Sequence, residues 1–247
     1  MRDRSFEGGI VRRGAQARRY ADQDLLRNPG QDSVLQSDPW RVLRIQSEFV
    51  EGFEALGDLG PAVGVFGSAR VKPDDPLYDA ARRIGAGLAR HGVAVITGGG
   101  PGLMAATNAG ADAAGGTSVG LCIELPFEES MNEHVNLGMS FRYFFCRKVM
   151  FIKYTQGLIA MPGGFGTFDE VFEALTLLQT GKAESAPVVF FGRPYWDGLF
   201  AWMREAMLGG GYIDAADLDG LHLTDDPDEA VELVTAGIGT GAGAPLG

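Results

Sequence analysis

Apolar residues gather in short runs along the middle of the chain: Ala62–Phe66, Ala94–Thr97, 117–125, 157–161 and 187–191. Short, mainly apolar and β-rich runs of this kind suit strands buried on both faces, and the stretches between them carry helical spacing. This alternation predicts an α/β domain, a doubly wound, Rossmann-like parallel sheet with helices on both faces. Ahead of it, Trp40, Val42, Leu43, Ile45, Phe49, Phe53 and Leu56 recur with helical spacing, which predicts an amphipathic helix within 37–60 that docks on the domain. Residues 1–36 are poor in large apolar side chains and carry Arg12, Arg13, Arg18 and Arg19, as a loosely ordered arm would. The main domain is expected over 61–236, with a glycine-rich, frayed tail at 237–247.

Composition narrows the function. The 247 residues are 45% hydrophobic and 21% charged, with a net charge of −11, which argues against a broad surface for nucleic acid or anionic membrane. A local pocket for a small anion remains compatible with that sign. Cys122 and Cys146 are the only cysteines, too few for a disulfide framework, and both fall in apolar segments that suit free, buried thiols. No apolar run approaches the roughly 20 residues needed to span a bilayer. The arginine-rich start lacks the apolar stretch of a signal peptide, so the expectation is a cytoplasmic protein.

Three glycine segments follow predicted strands: Phe66-Gly67-Ser68-Ala69-Arg70, Thr97-Gly98-Gly99-Gly100-Pro101-Gly102, and Pro162-Gly163-Gly164-Phe165-Gly166-Thr167-Phe168-Asp169-Glu170. Ligands of open α/β sheets sit at the carboxyl ends of the strands, so these segments are expected to converge on one crevice. The third opens a helix, whose first amides lack intrahelical acceptors and so bind anions. It also ends in two carboxylates, Asp169 and Glu170, which points to chemistry beside the anion. Neither the dinucleotide G-x-G-x-x-G pattern nor a P-loop is present, which favours a mononucleotide.

On a helical wheel of 141–154, Phe141, Phe144, Phe145, Phe151 and Ile152 share one broad face, and Arg142, Cys146 and Lys153 lie nearly opposite. Lys148 projects from the aromatic face: it either faces an anion, snorkels, or ion-pairs at a subunit interface. Arg147, on the flank, suits bidentate recognition of phosphate or carboxylate. Thr167 and Glu170 also have the spacing of a capping box, in which Glu170 would merely close a helix end. Ser68 lacks a histidine base, and His91, His134 and His222 lack metal-ligand spacing.

The triplet Gly98-Gly99-Gly100, the pair Arg147-Lys148 and the string from Pro162 to Glu170 together resemble the motifs of the Lonely Guy family, over 61–234. Those proteins are phosphoribohydrolases acting on cytokinin nucleotides, and many relatives are labelled lysine decarboxylase-like. The resemblance implies catalytic roles for Arg147 and Glu170. It also implies substrate binding by Gly98, Gly99, Gly100, Lys148, Gly163, Gly164, Phe165, Gly166, Thr167, Phe168, Asp169 and Thr176, and by an upstream acid, for which Glu128 is chosen over Glu129. The 126–140 loop and the N-terminal helix depart from plant-type members, which leaves the preferred base open.

The implied reaction splits the N-glycosidic bond of a nucleoside 5′-monophosphate, AMP or a cytokinin riboside monophosphate, into free base and ribose 5-phosphate. Glu170 would face the developing oxocarbenium and activate water. No cofactor is called for, and the expected assembly is a homodimer. The alternative is a non-catalytic nucleotide or cofactor carrier on the same fold. A pyridoxal-phosphate decarboxylase would need a Schiff-base lysine, and of Lys72, Lys148, Lys153 and Lys182 only Lys148 is placed near the crevice.

Overall fold

The computed structural model describes residues 4–7, 10–13, 21–26, 38–124, 131–183 and 186–238. Within the stretch expected as an arm, strands β1 (Arg4–Glu7) and β2 (Ile10–Arg13) pair antiparallel, and a short helix α1 (Ala21–Leu25) follows. Helix α2 (Asp38–Leu56) occupies the predicted docking segment, but its inward face differs from the one the apolar spacing suggests. Arg41, Glu48 and Leu56 are buried, whereas Trp40, Val42, Leu43, Val50 and Phe53 are exposed. A buried carboxylate needs compensating donors, and Glu48 finds them at the start of a later helix.

The domain alternates strand and helix: β3 (Ala62–Phe66), α3 (Pro76–Arg90), β4 (Ala94–Thr97), α4 (Leu103–Ala113), β5 (Ser118–Ile123), β6 (Leu137–Phe141), α5 (Phe144–Tyr154), β7 (Leu158–Ala160), α6 (Phe165–Gln179), β8 (Val188–Phe191), α7 (Arg193–Trp202), α8 (Ala216–Asp219), β9 (Leu221–Thr224) and α9 (Pro227–Thr235). A π-helical stretch, Met203–Leu208, continues α7. Asp75-Pro76 and Asp226-Pro227 start α3 and α9 alike. Each aspartate accepts an amide two residues on, while the proline occupies a position whose own N–H would be orphaned.

The strands form one all-parallel sheet in the order β6-β5-β4-β3-β7-β8-β9. Side chains alternate between its faces. In β3, Ala62 and Phe66 join the core under α5, α6 and α7, while Val63 and Val65 join the core under α3, α4 and α9. The doubly wound expectation therefore holds. The five apolar runs are the five central strands, and the edge strands β6 and β9, half-exposed, lie outside the predicted set.

The chain builds outward from β3 through β4 and β5 to β6, then returns through α5 to place β7 on the other side of β3. The order therefore reverses between β3 and β7, the place where open α/β sheets form a crevice at the carboxyl ends of their strands. No helix among the described residues is long and apolar enough to cross a membrane.

Candidate active site

Helix α6 begins directly after β7, with Gly164 as its N-cap and no side-chain cap bond. The Thr167 and Phe168 amides close the first turn onto the Gly164 carbonyl at 3.0 and 3.1 Å. Thr167 is thus inside the helix rather than at its cap, so the capping-box alternative for Glu170 is not formed. Around Gly164 and Gly166 the space is open: a Cβ built at either would meet nothing within 4 Å. Phe165, between them, is 95% exposed. Gly163 instead closes against the Thr167 side chain, and its carbonyl accepts from the Tyr195 hydroxyl.

One turn past Gly166, Glu170 points inward and is only 5% exposed. Its Oε1 lies 3.9 Å from Arg147 Nη1. At that separation attraction does not cover the cost of dehydrating the carboxylate. Burial pushes the Glu170 carboxyl up to about 7, against the lowering pull of Arg147 and Lys148.

Arg147 is held on several sides. Its Nε donates to the Leu121 carbonyl of β5 at 2.7 Å, and its guanidinium lies 5.1 Å from the Phe151 ring centre. A Cβ at Gly98 would sit 2.7 Å from Arg147 Nη2, so the first glycine of the triplet makes room for this side chain. Gly99, at φ +70°, needs its lack of a side chain for backbone reasons as well.

The triplet is tied down by residues that sequence reasoning missed. Thr97 Oγ1 donates to Asn108 Oδ1 at 2.6 Å and accepts the Gly99 amide at 3.0 Å. Asn132 Nδ2 donates to the Gly99 and Gly100 carbonyls and to Asn108 Oδ1. Isolated asparagines carry no spacing signal, so only the fold reveals this network.

The remaining predicted residues divide. Lys148 Nζ contacts Asp169 Oδ2 at 2.9 Å and Glu173 Oε2 at 2.7 Å, tying α5 to α6. Burial opposes its charge, but the two carboxylates outweigh that and lift its pKa above the ordinary value. The Phe168 ring packs against Phe172, Tyr195 and Trp196 and not toward the crevice. Thr176 is exposed, its hydroxyl bonded back to the Phe172 carbonyl, and lies about 9 Å along the helix from Glu170. Glu128 lies outside the described residues.

The wheel reading of α5 also changes. Phe141 belongs to β6, Cys146 is buried rather than opposite the core, and Phe144 and Phe145 are each 39% exposed. Ser68 and Arg70, at the end of β3, line a cavity of about 510 Å³ with Val71, Lys72, Asp74 and Asp75. Both cysteines are free thiols, and no group of His, Cys, Asp and Glu suited to holding a metal occurs among the described residues.

Comparison with known proteins places these features in a family. A cytokinin riboside 5′-monophosphate phosphoribohydrolase of Mycobacterium marinum is 28% identical over 163 residues, covering 65% of this chain and 87% of the relative. The protein of the same name from Mycobacterium tuberculosis is 29% identical over 157 residues, covering 63% and 83%. Among solved structures, the molybdenum cofactor binding protein of Rippkaea orientalis shares the fold at a TM-score of 0.54 and 21% identity, covering 72% of this chain and 96% of that one. A family model described as "Possible lysine decarboxylase" matches residues 104–234, a stretch that includes Arg147-Lys148 and the whole 162–170 loop. With that match spanning just over half of its length, the chain belongs to this family, the Lonely Guy proteins.

Proposed function

We propose that the protein hydrolyses the N-glycosidic bond of a nucleoside 5′-monophosphate, AMP or a cytokinin riboside monophosphate, to free base and ribose 5-phosphate. One observation carries this reading: a buried carboxyl raised to about 7 lies one turn inside a helix whose glycine-flanked N-terminus is open to solvent. The open turn suits the 5′-phosphate, since its amides and dipole favour an anion and Gly164 and Gly166 leave room for close approach. Glu170 then faces the ribose. Near neutral pH it exists partly as the anion, which stabilises positive charge developing at C1′ and accepts a proton from the attacking water. Water supplies the hydroxyl to C1′, the base leaves with the bonding pair, and the proton lost by water returns to the base. Arg147, fixed against Leu121 and Gly98, holds the carboxylate side of the site and offers its outer nitrogens to the nucleotide.

The carrier reading needs the same crevice without turnover, as in the Rippkaea protein described as binding molybdenum cofactor. A buried carboxylate beside an anion site is a cost for a carrier and an asset for a hydrolase. The decarboxylase reading fits poorly: a Schiff base needs a neutral amine, and Lys148 is held protonated between Asp169 and Glu173.

Incubation with adenine, N6-substituted adenine, guanine and pyrimidine nucleoside monophosphates, followed by separation of the products, tests the proposal. Base release from a monophosphate and hardly any from its nucleoside is expected; equal rates would remove the role of the α6 N-terminus, and inactivity throughout would favour the carrier.

A homodimer is part of the same reading. Phe144, Phe145 and Val149 are exposed beside Lys148, and Asp169, Glu173 and Thr176 form one stripe of α6. A second copy seated there would cover the apolar side chains and bring Thr176 toward a site that its own chain does not let it reach. Light scattering should give at least a dimer at micromolar concentration; a fully active monomer would refute this.

A further inference from the structure

Arg147 and Lys148 lie in the first turns of α5, a helix that does not cap itself: Tyr143 is its N-cap and makes no side-chain cap bond. The two amides that lead into it and its first helical amide are satisfied from outside the sheet domain. Glu48 of α2 accepts from the Arg142 amide at 3.0 Å and from the Tyr143 amide at 3.4 Å, and Asp22 of α1 accepts from the Phe144 amide at 3.2 Å. Two carboxylates therefore sit at the positive end of the α5 dipole.

Glu48 is 5% exposed, and burial raises its pKa against the lowering effect of the two amides. The neighbouring Cys146 thiol is pushed up to about 12 by burial and then by the charge of Glu48. The contact between α2 and α5 continues along both helices. A Cβ at Gly52 would come 2.6 Å from Met150 Cε, Lys153 Nζ lies 5.5 Å from the Phe53 ring centre, and the Tyr154 hydroxyl donates to the Phe53 carbonyl at 3.4 Å. The second half of α2, from Glu48 to Phe53, is thus registered against α5 from the N-cap of α5 to its last residue. At the far side of α5, the Arg147–Glu170 separation of 3.9 Å is at the outer edge of an ion pair, where a small slide of the helix changes the interaction.

We propose that Glu48, assisted by Asp22, is a positioning residue for Arg147: the N-terminal segment caps α5 from outside and thereby sets how closely the guanidinium approaches Glu170. This rests on the assignment of Arg147 and Glu170 to the reactive site, but its decisive measurement needs no turnover.

The ionisation of Glu170 is followed by carbon NMR in ligand-free protein labelled at the glutamate carboxyls, with Glu170→Gln identifying the signal. In Glu48→Ala the Glu170 titration should move upward by about half a unit, because part of the opposing cation is withdrawn. In an Arg147→Ala background the same change should produce no further shift. On a nucleoside monophosphate, kcat/KM should fall about tenfold in Glu48→Ala, with substantial recovery in Glu48→Gln, which keeps an oxygen for the amides. A folded Glu48→Ala protein with a lower Tm and an unmoved Glu170 titration overturns the proposal. Should that variant fail to fold, Glu48→Leu, which fills the same space but offers no acceptor, is titrated instead: an upward shift supports the proposal and an unmoved curve overturns it. If the native protein hydrolyses nothing, the titration still decides.

Discussion

Two glycine loops leave strands of the same sheet and are put to opposite uses. At Gly98 and Gly99, added Cβ atoms would fall 2.7 Å from Arg147 Nη2 and 2.5 Å from Cys122 Sγ, so the space that these glycines vacate is filled by the protein. At Gly164 and Gly166 the corresponding space is empty to beyond 4 Å. The first loop is fastened by Asn108 and Asn132 and serves as a seat for a side chain; the second is left unfilled beside a buried carboxyl. Glycine content alone does not separate a scaffold from a ligand cradle. What lies opposite the missing side chain does.

The largest effect should come at the charge behind the open loop. Glu170→Gln should lower kcat by at least about 100-fold while leaving nucleotide binding measurable, whereas Arg147→Ala should weaken both turnover and binding. In the native protein the proposed hydrolysis should show kcat/KM rising with pH through an apparent pKa near 7, the value to which burial pushes Glu170. Near-native hydrolysis by Glu170→Gln would remove the catalytic assignment. The same variant should also alter stability. A carboxyl raised from 4.5 to about 7 favours the folded state while protonated, and that contribution is lost as pH rises through the folded value. Chemical denaturation should therefore find Glu170→Gln close to the native protein near pH 4.5 and more stable at pH 8, by on the order of 3 kcal/mol at most.

Smaller, paired effects should separate the two loops. Gly98→Ala presses on Met104 and on a guanidinium already held by Leu121 and Phe151, so stability should fall by about 1 kcal/mol while kcat/KM falls about tenfold or more. Gly166→Ala adds a methyl into open space within the first turn of a helix. It should raise stability by about 0.5 kcal/mol and raise KM for the nucleotide without a matching loss in kcat. Identical behaviour of the two variants would erase the distinction between seat and cradle.

The central architecture was legible because β3, β4, β5, β7 and β8 are buried almost throughout and so read as apolar runs. The edge strands were not: Leu-Gly-Met-Ser-Phe in β6 and Leu-His-Leu-Thr in β9 are half-exposed and offer little apolar contrast. A wheel drawn over 141–154 goes astray because it counts Phe141, a strand residue, as part of the helix, which rotates the inferred inner face away from Cys146 and Met150. For α2 the inward face carries Arg41 and Glu48, polar residues that hydropathy assigns to solvent. Glu170 stood out in the sequence because its chemistry is unusual beside glycines. The residues that set its surroundings did not. Leu121 steers Arg147 from another strand, Asn108 and Asn132 fasten the loop beside that guanidinium, and none of the three is marked by any spacing in the sequence.

The central place of β7 has a consequence for how the chain comes to exist. Strand β3 pairs with β4 soon after both are made, but its other edge is completed only by β7, whose partner residues follow about 90 positions later. During synthesis the middle strand of the finished sheet is therefore an open edge, able to pair with the wrong partner until β7 arrives. The crevice between β3 and β7 has no earlier form. Any nascent chain that stops short of residue 160 has most strands of that sheet and lacks the β3–β7 pairing on which the proposed site depends.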